Sequence, residues 1–117
     1  MAIQQEIGNK GENIASDYLI NSGFKIVERN FRLGKSEIDI IGIEEKVLVF
    51  VEVKTRTSSM YGNPEDFVNE AKAAKIIEGA EGYINQINWS GPIRFDIVSV
   101  KINAKTIEVK HFKDAFY

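Results

Sequence analysis

The stretch EIDIIGIEEKVLVFVEVKT, residues 37–55, divides into two runs rich in β-branched residues, Glu37 to Ile43 and Val47 to Thr55. Only Glu44, Glu45 and Lys46 part them. Runs of that length and composition form strands, and so short a polar connection folds them back on each other as an antiparallel hairpin. The second run is apolar on both faces, which predicts a strand in the middle of a sheet.

Successive residues of a strand point to opposite faces, so Glu52 and Lys54 project to one side, and Asp39 shares a face with Glu37 and Ile41. If Glu44 pairs with Val47 at the turn, the register carries Asp39 opposite Glu52, with Cβ atoms about 5 Å apart. A slip of one residue would part them. An isolated Glu-x-Lys on a strand is usually a solvated ion pair. Here Asp39, Glu52 and Lys54 each interrupt a run that reads as buried, where an unpartnered charge is costly.

Two carboxylates pressed together repel, and a hard divalent cation relieves the repulsion by taking oxygen from both. Mg²⁺ fits best, with Mn²⁺ as a substitute. Such an ion polarises a phosphodiester and acidifies a bound water, while Lys54 steadies the attacking group and the charge developing on phosphorus. The expected ligands are Asp39 and Glu52, and the expected chemistry is phosphodiester hydrolysis.

Working outward, apolar or small residues at Ile7, Gly11, Ile14, Ala15, Tyr18 and Leu19 share one face of a helix from about Gln5 to Asn21, closed by Gly23. Phe24 to Arg32 reads as a strand, followed by a turn at Leu33-Gly34-Lys35. Downstream, Asn63-Pro64-Glu65-Asp66 has the residues of a helix start, and the helix continues through FVNEAKAAKIIEGAEGYINQI, weakened by Gly79 and Gly82. Ile93 to Ile102 and Thr106 to Phe112 supply two more strands. The polar stretch from Arg56 to Gly62 reads as a loop beside the candidate site. The order is α-β-β-β-α-β-β, an α/β fold with a mixed sheet flanked by helices.

The chain has 117 residues, enough for a single domain spanning 1–117 and too few for two well-buried cores. It contains no cysteine and one histidine, His111, which excludes disulfides, thiolate chemistry and a multi-histidine zinc site. No apolar run approaches the length of a membrane span and MAIQQEIGNKGE is unlike a signal peptide, so a cytoplasmic location is expected. The net charge of −2 argues against binding nucleic acid by bulk charge. A bound cation and a local Lys/Arg cluster can still supply a positive field.

The strings SEIDII and LVFVEVKTR resemble signatures of the YraN family, a bacterial group placed in the PD-(D/E)XK nuclease superfamily. The resemblance runs through Gly8, Glu12, Ala15 and Leu19, Gly23-Phe24, Asn30-Phe31-Arg32, Pro64, Val68, Lys72, Ala80, Tyr83 and Arg94-Phe95-Asp96. It implies a restriction-endonuclease-like αβββαβ core with an extra C-terminal strand. It also implies Asp39 as the acidic residue of the first motif, and Glu52 and Lys54 as those of the second. One departure is Ser36, where the family has glycine before Glu-Ile-Asp.

Further positions carry weaker expectations. Glu12, by the resemblance, is a third metal ligand or catalytic carboxylate, against the alternative of a boundary salt bridge. Glu37 is an outer ligand or a plain strand charge. Arg56 and Lys72 are candidates for substrate phosphate, with a lysine lying along its helix as the alternative for Lys72. Asp96 interrupts a buried-looking strand and calls for a partner, while His111 and Trp89 read as packing or surface residues. The function expected is a Mg²⁺-dependent nuclease acting on DNA, including branched structures, and compatible with a homodimer. The competing class is a non-catalytic nucleic-acid-binding or protein-interaction module on the same fold. A small-molecule hydrolase finds no nucleophile elbow or nucleotide fingerprint to support it.

Overall fold

The structure, a computed structural model, describes residues 2–57 and 68–117. Helix α1 (Ala2–Asn21) is followed by strands β1 (Lys25–Leu33), β2 (Ser36–Glu44) and β3 (Val47–Arg56). Helix α2 (Glu70–Ile87) and strands β4 (Ile93–Ile102) and β5 (Ile107–Phe112) complete the order. The strands form one sheet in the order β1-β2-β3-β4-β5. Only β3 and β4 run parallel. Parallel neighbours cannot be joined by a tight turn, and α2 lies on the crossover between them. This is the mixed sheet flanked by helices, with an added C-terminal strand, that the sequence predicts, and β3 is its middle strand.

The β2–β3 connection is as short as two strands allow. Glu44 pairs with Val47, leaving Glu45 (φ 48°) and Lys46 (φ 73°) in the left-handed region. Two successive positive φ angles give a turn whose twist matches that of the hairpin. Holding two non-glycine residues there costs about 1–2 kcal/mol each, offset by the apolar pairing that follows. At the end of α1, Gly23 (φ 101°) turns the chain, and the Phe24 N–H returns to the Leu19 carbonyl at 2.9 Å.

Each face of the sheet has its own core. Ala15, Leu19 and Phe24 pack with Ile40, Val49, Val51, Val98 and Val100 on the α1 side. Ile76, Ala80 and Tyr83 of α2 pack with Ile38, Ile41, Leu48, Phe50, Phe95 and Ile97 on the other. Phe50 is wholly buried and stacks on Phe95 with ring centroids 5.4 Å apart, a burial that contributes about 2–3 kcal/mol. Gly79 lets α2 approach the first hairpin, because a Cβ there would lie 3.0 Å from that of Ser36. Ser36 is buried under the helix as the first residue of β2, facing Leu33 across the turn. Serine in place of the family glycine is therefore accommodated within the strand.

The expected helix start at Asn63-Pro64-Glu65-Asp66 lies outside the described residues. Within them, a helix running on through Val68 and Asn69 is not found. Asn69 is extended (φ −85°, ψ 175°), and its side chain accepts the Lys72 N–H at 2.9 Å. That cap satisfies a donor the first turn would leave bare and starts the helix at Glu70. Among the described residues no helix is long and apolar enough to cross a membrane.

Asp96 has the partners its burial requires. Arg94 clasps both of its carboxylate oxygens at 2.8 and 2.9 Å, His111 Nε2 lies 2.8 Å from Oδ2, and the Asp114 N–H donates to Oδ1 at 3.0 Å. Arg94 and Lys113 also reach Glu44, tying β2 to β4 and to the segment after β5. Burial pushes the Asp96 carboxyl up, and the bonds from Arg94, His111 and Asp114 outweigh it, holding the group below the usual carboxylate range. His111 thus has a structural partner, and its ring meets Tyr18 edge-on at 5.6 Å. Asp96→Ala should lower the unfolding free energy by about 3–5 kcal/mol in urea titrations at pH 7. The depressed pKa carries a sign: the contribution persists at and above the ordinary carboxylate range and is lost only as pH falls below it. A loss under about 1 kcal/mol at pH 7 would show that the cluster is not what joins these strands.

Candidate active site

The β2–β3 ladder runs from Glu44↔Val47 to Ile40↔Val51 and stops there. One position on, the same register sets Asp39 against Glu52. Here a side chain takes over from the backbone: the Val53 N–H donates to Asp39 Oδ2 at 2.8 Å. The strand alternates regularly on either side of this point but not through it. Ile38 belongs to the α2-side core and Ile40 to the α1-side core. On β1, Asn30 shows the companion irregularity with φ 54°. Asp39 accordingly does not simply share a face with Glu37 and Ile41, as strict alternation predicts. It lies in the opening where β2 and β3 part.

Glu52 is 6% exposed and stands on the α2 side of β3. Lys54 follows on that same face, and Arg56 closes the strand beyond it. Val53 and Thr55 point the other way, toward α1. Lys72, in the first turn of α2, forms an ion pair with Glu52, which neutralises a carboxylate that burial would otherwise penalise. Lys72 therefore does more than lie along its helix.

Glu12 approaches from α1. Its immediate partner is Arg29 at 3.5 Å, yet its charge is also felt at Asp39. Gly11 makes this approach possible, because a Cβ there would collide with the Thr55 side chain. A cleft of about 240 Å³, lined by Ile7, Gly8, Thr55 and Thr57, opens beside it. Glu37 pairs at 3.5 Å with Arg32 near the surface. Among the described residues no three carboxylate or imidazole side chains are already arranged as a ligand set. Glu52 interacts with Asp39, and the Glu12 charge reaches it as well.

The electrostatics reflect this crowding. Burial, with the Glu52 charge next, pushes the Asp39 carboxyl up to about 8; the Val53 N–H opposes the shift and Glu12 adds to it. Lys54 is lowered by burial first and then by the Arg56 and Lys72 charges, against the pull of Glu52 and Asp39. Two crowded carboxylates, one of which retains a proton near neutrality, are a donor set suited to a hard divalent cation. The residues present fit such an ion through Asp39 and Glu52, with Glu12 available to join them.

The sequence expectations missed two contacts here. The Val53 N–H is a backbone donor and leaves no residue signal. The Lys72–Glu52 ion pair depends on how α2 docks, although a lysine at the start of an amphipathic helix was a usable hint.

The profile of the uncharacterised protein family UPF0102 matches residues 11–100. A UPF0102 protein of Flavobacterium psychrophilum is 40% identical over 117 residues, covering 100% of this chain and 98% of the relative. One from Cytophaga hutchinsonii is 47% identical over 93 residues, covering 80% and 82%. One from Thermodesulfovibrio yellowstonii is 43% identical over 112 residues, covering 96% of each. Among solved structures, Pyrococcus furiosus SfsA in complex with Ca²⁺ aligns with a TM-score of 0.38 at 14% identity, covering 94% of this chain and 63% of that one.

The raised Asp39 pKa makes a prediction for the metal-free protein. A carboxyl with a pKa near 4 unfolded and about 8 folded binds a proton on folding, so stability should fall as pH rises between those values. Asp39→Asn keeps an acceptor for the Val53 N–H and removes the charge. In EDTA at pH 8 it should melt about 4 °C or more above the wild type, the shift that roughly 1 kcal/mol gives a domain of this size. Its melting temperature should also be flatter from pH 5 to 8. A variant melting below the wild type would show that Asp39 is not under this strain.

Proposed function

We propose that this chain, which belongs to the uncharacterised protein family UPF0102, is a divalent-metal-dependent nuclease hydrolysing phosphodiester bonds in DNA. Branched or otherwise irregular structures are the substrates to try first, by analogy with the wider nuclease superfamily. The observation carrying this reading is the meeting of Asp39 and Glu52, with Lys54 on the Glu52 face, where β2 and β3 part.

Asp39 and Glu52 would hold Mg²⁺ or Mn²⁺, with Glu12 as the third carboxylate. When bound, the ion supplies the Lewis acidity that polarises a phosphodiester and eases loss of a proton from water. The chain's own groups do the remaining work. The Val53 N–H fixes one oxygen of Asp39, which would leave the other for the ion. Lys54 presents its ammonium beside the carboxylates, where it can bond a non-bridging phosphate oxygen and offset the charge that grows there. Its lowered pKa eases donation of a proton. Lys72 holds Glu52 paired; were Glu52 to hold an ion instead, Lys72 would be free to join Arg56 in adding positive charge around the phosphate.

The test is cleavage of labelled single-stranded, duplex, flapped and four-way-junction DNA in Mg²⁺, Mn²⁺ or EDTA. Metal-dependent cutting is expected, reduced by about two orders of magnitude or more in Asp39→Asn and in Lys54→Ala. The Lys72–Glu52 pair and the incomplete ligand set favour one other reading, a binding module without catalysis. Metal-independent DNA binding with no cutting by the folded protein would select that reading instead.

A further inference from the structure

Glycine is the poorest helix former after proline, yet α1 carries both Gly8 and Gly11 in its interior. Gly11 has a packing reason, since a Cβ there would collide with the Thr55 side chain, 2.9 Å from its Cβ. Gly8 has none, because a Cβ there would meet nothing within 4 Å. The position does not simply face solvent. Residues four and seven apart share a face of a helix, so Gly8 lies in line with Glu12 and Ala15, and Ala15 is wholly buried in the core between α1 and the sheet. The helix therefore rests on β3 at Gly11 and stands clear of it about one turn earlier.

The space so left is the cleft of about 240 Å³ bounded by Ile7, Gly8, Thr55 and Thr57. Pockets that enclose a whole small molecule run to roughly 300–1,000 Å³, so this one suits a single ring-sized group. Its walls are mixed. Ile7 and the two threonine methyls are apolar, and each threonine hydroxyl can both donate and accept. Among the described residues no charged side chain lines it, which makes it a poor seat for a phosphate or a cation and a good one for a neutral ring with polar edges. Thr55 directly follows Lys54 in β3, and Glu12 stands one helical turn beyond Gly8, so the cleft adjoins the carboxylates.

We infer that this cleft receives a nucleobase of the strand whose phosphate lies at Asp39 and Glu52, and that Gly8 keeps it open. This rests on the phosphodiester reading of the site. The occupant follows from chemistry and continuity. Along a nucleic acid each charged phosphate is flanked by an uncharged, partly apolar sugar and base, and here an uncharged, partly apolar recess flanks the groups placed to handle a phosphate. Threonine hydroxyls bond to the edges of different bases, so the cleft holds a base without selecting which one.

The test is equilibrium binding in Ca²⁺, with the strands checked on gels to be intact. A short fluorescent thymidine oligonucleotide and an abasic strand of the same length and charge are titrated with the wild type and with Gly8→Leu, whose side chain fills the cleft. The wild type should favour the thymidine strand by about fivefold, and Gly8→Leu should bind both strands as the wild type binds the abasic one. Gly8→Leu and Gly8→Ala should each melt about 4 °C above the wild type, because a better helix former is added without a clash. In the unmutated protein the methyl resonances of Ile7 and Thr55 should shift with the thymidine strand and stay in place with the abasic one; should Gly8→Leu fail to fold, these shifts decide alone. Equal affinity of the wild type for both strands, a preference unchanged in folded Gly8→Leu, methyl shifts that ignore the base, or binding of thymidine monophosphate here without any binding of the strand would each overturn the inference. Cutting in Mg²⁺ with no preference for bases removes the cleft and leaves the nuclease reading. A cleft-dependent preference for bases without cutting in Mg²⁺ removes the nuclease reading and leaves the cleft as a base-binding site.

Discussion

A single hydrogen bond, from the Val53 amide to the Asp39 carboxylate, sets the geometry of the whole site. A regular ladder would have bonded amide to carbonyl and sent Asp39 to one face of the sheet. By accepting the amide with its side chain, Asp39 stays in the opening between two strands, within reach of Glu52 on one side and the charge of Glu12 on the other. The slip in alternation that accompanies this bond lets Ile38 and Ile40 fill two different cores. Both helices therefore depend on it: Ile38 before the slip packs under α2, while after it Ile40 faces α1 and Ile41 faces α2.

The site also shows how a protein can keep an unfavourable arrangement. Asp39 and Glu52 are crowded and largely removed from water, and Lys72 and the Val53 amide compensate them only in part. Stability is supplied elsewhere, by Phe50 stacked on Phe95 and by the fully bonded Asp96 cluster in β4. The two buried aspartates illustrate opposite outcomes of burial. Asp96 has an arginine, a histidine and an amide, and its pKa falls. Asp39 has one amide and two acidic neighbours, and its pKa rises. The second environment is the one that leaves a carboxylate ready for a cation.

Much of this was legible in the sequence. The three-residue gap between two unmistakable strands set the hairpin register, and with it the opposition of Asp39 and Glu52. The alternation of IRFDIVSVKI placed β4 from Ile93 to Ile102. What escaped has a common cause. The slip at Asp39 was hidden because isoleucine flanks it on both sides, so hydropathy does not change when the face does. The α2 boundary was misjudged because Asn63-Pro64 has stronger start signals than Asn69, the residue that caps the helix. The Lys72–Glu52 ion pair escaped because it joins a helix to a strand, an adjacency that exists only once α2 has docked on the sheet.

The topology divides these parts by the order in which they can form. The first three strands make a meander, and the bond that arranges the carboxylates joins residues 14 apart in the chain. Contacts that close are inexpensive in loop entropy and form early. The parallel seam between β3 and β4 closes only after α2 has carried the chain across the sheet. The chemical centre is thus a local structure that a short segment can specify, whereas the β3–β4 seam beside it is a non-local one. Sequence drift in β4 and β5 can therefore reshape what is held next to the carboxylates without disturbing how the carboxylates are set.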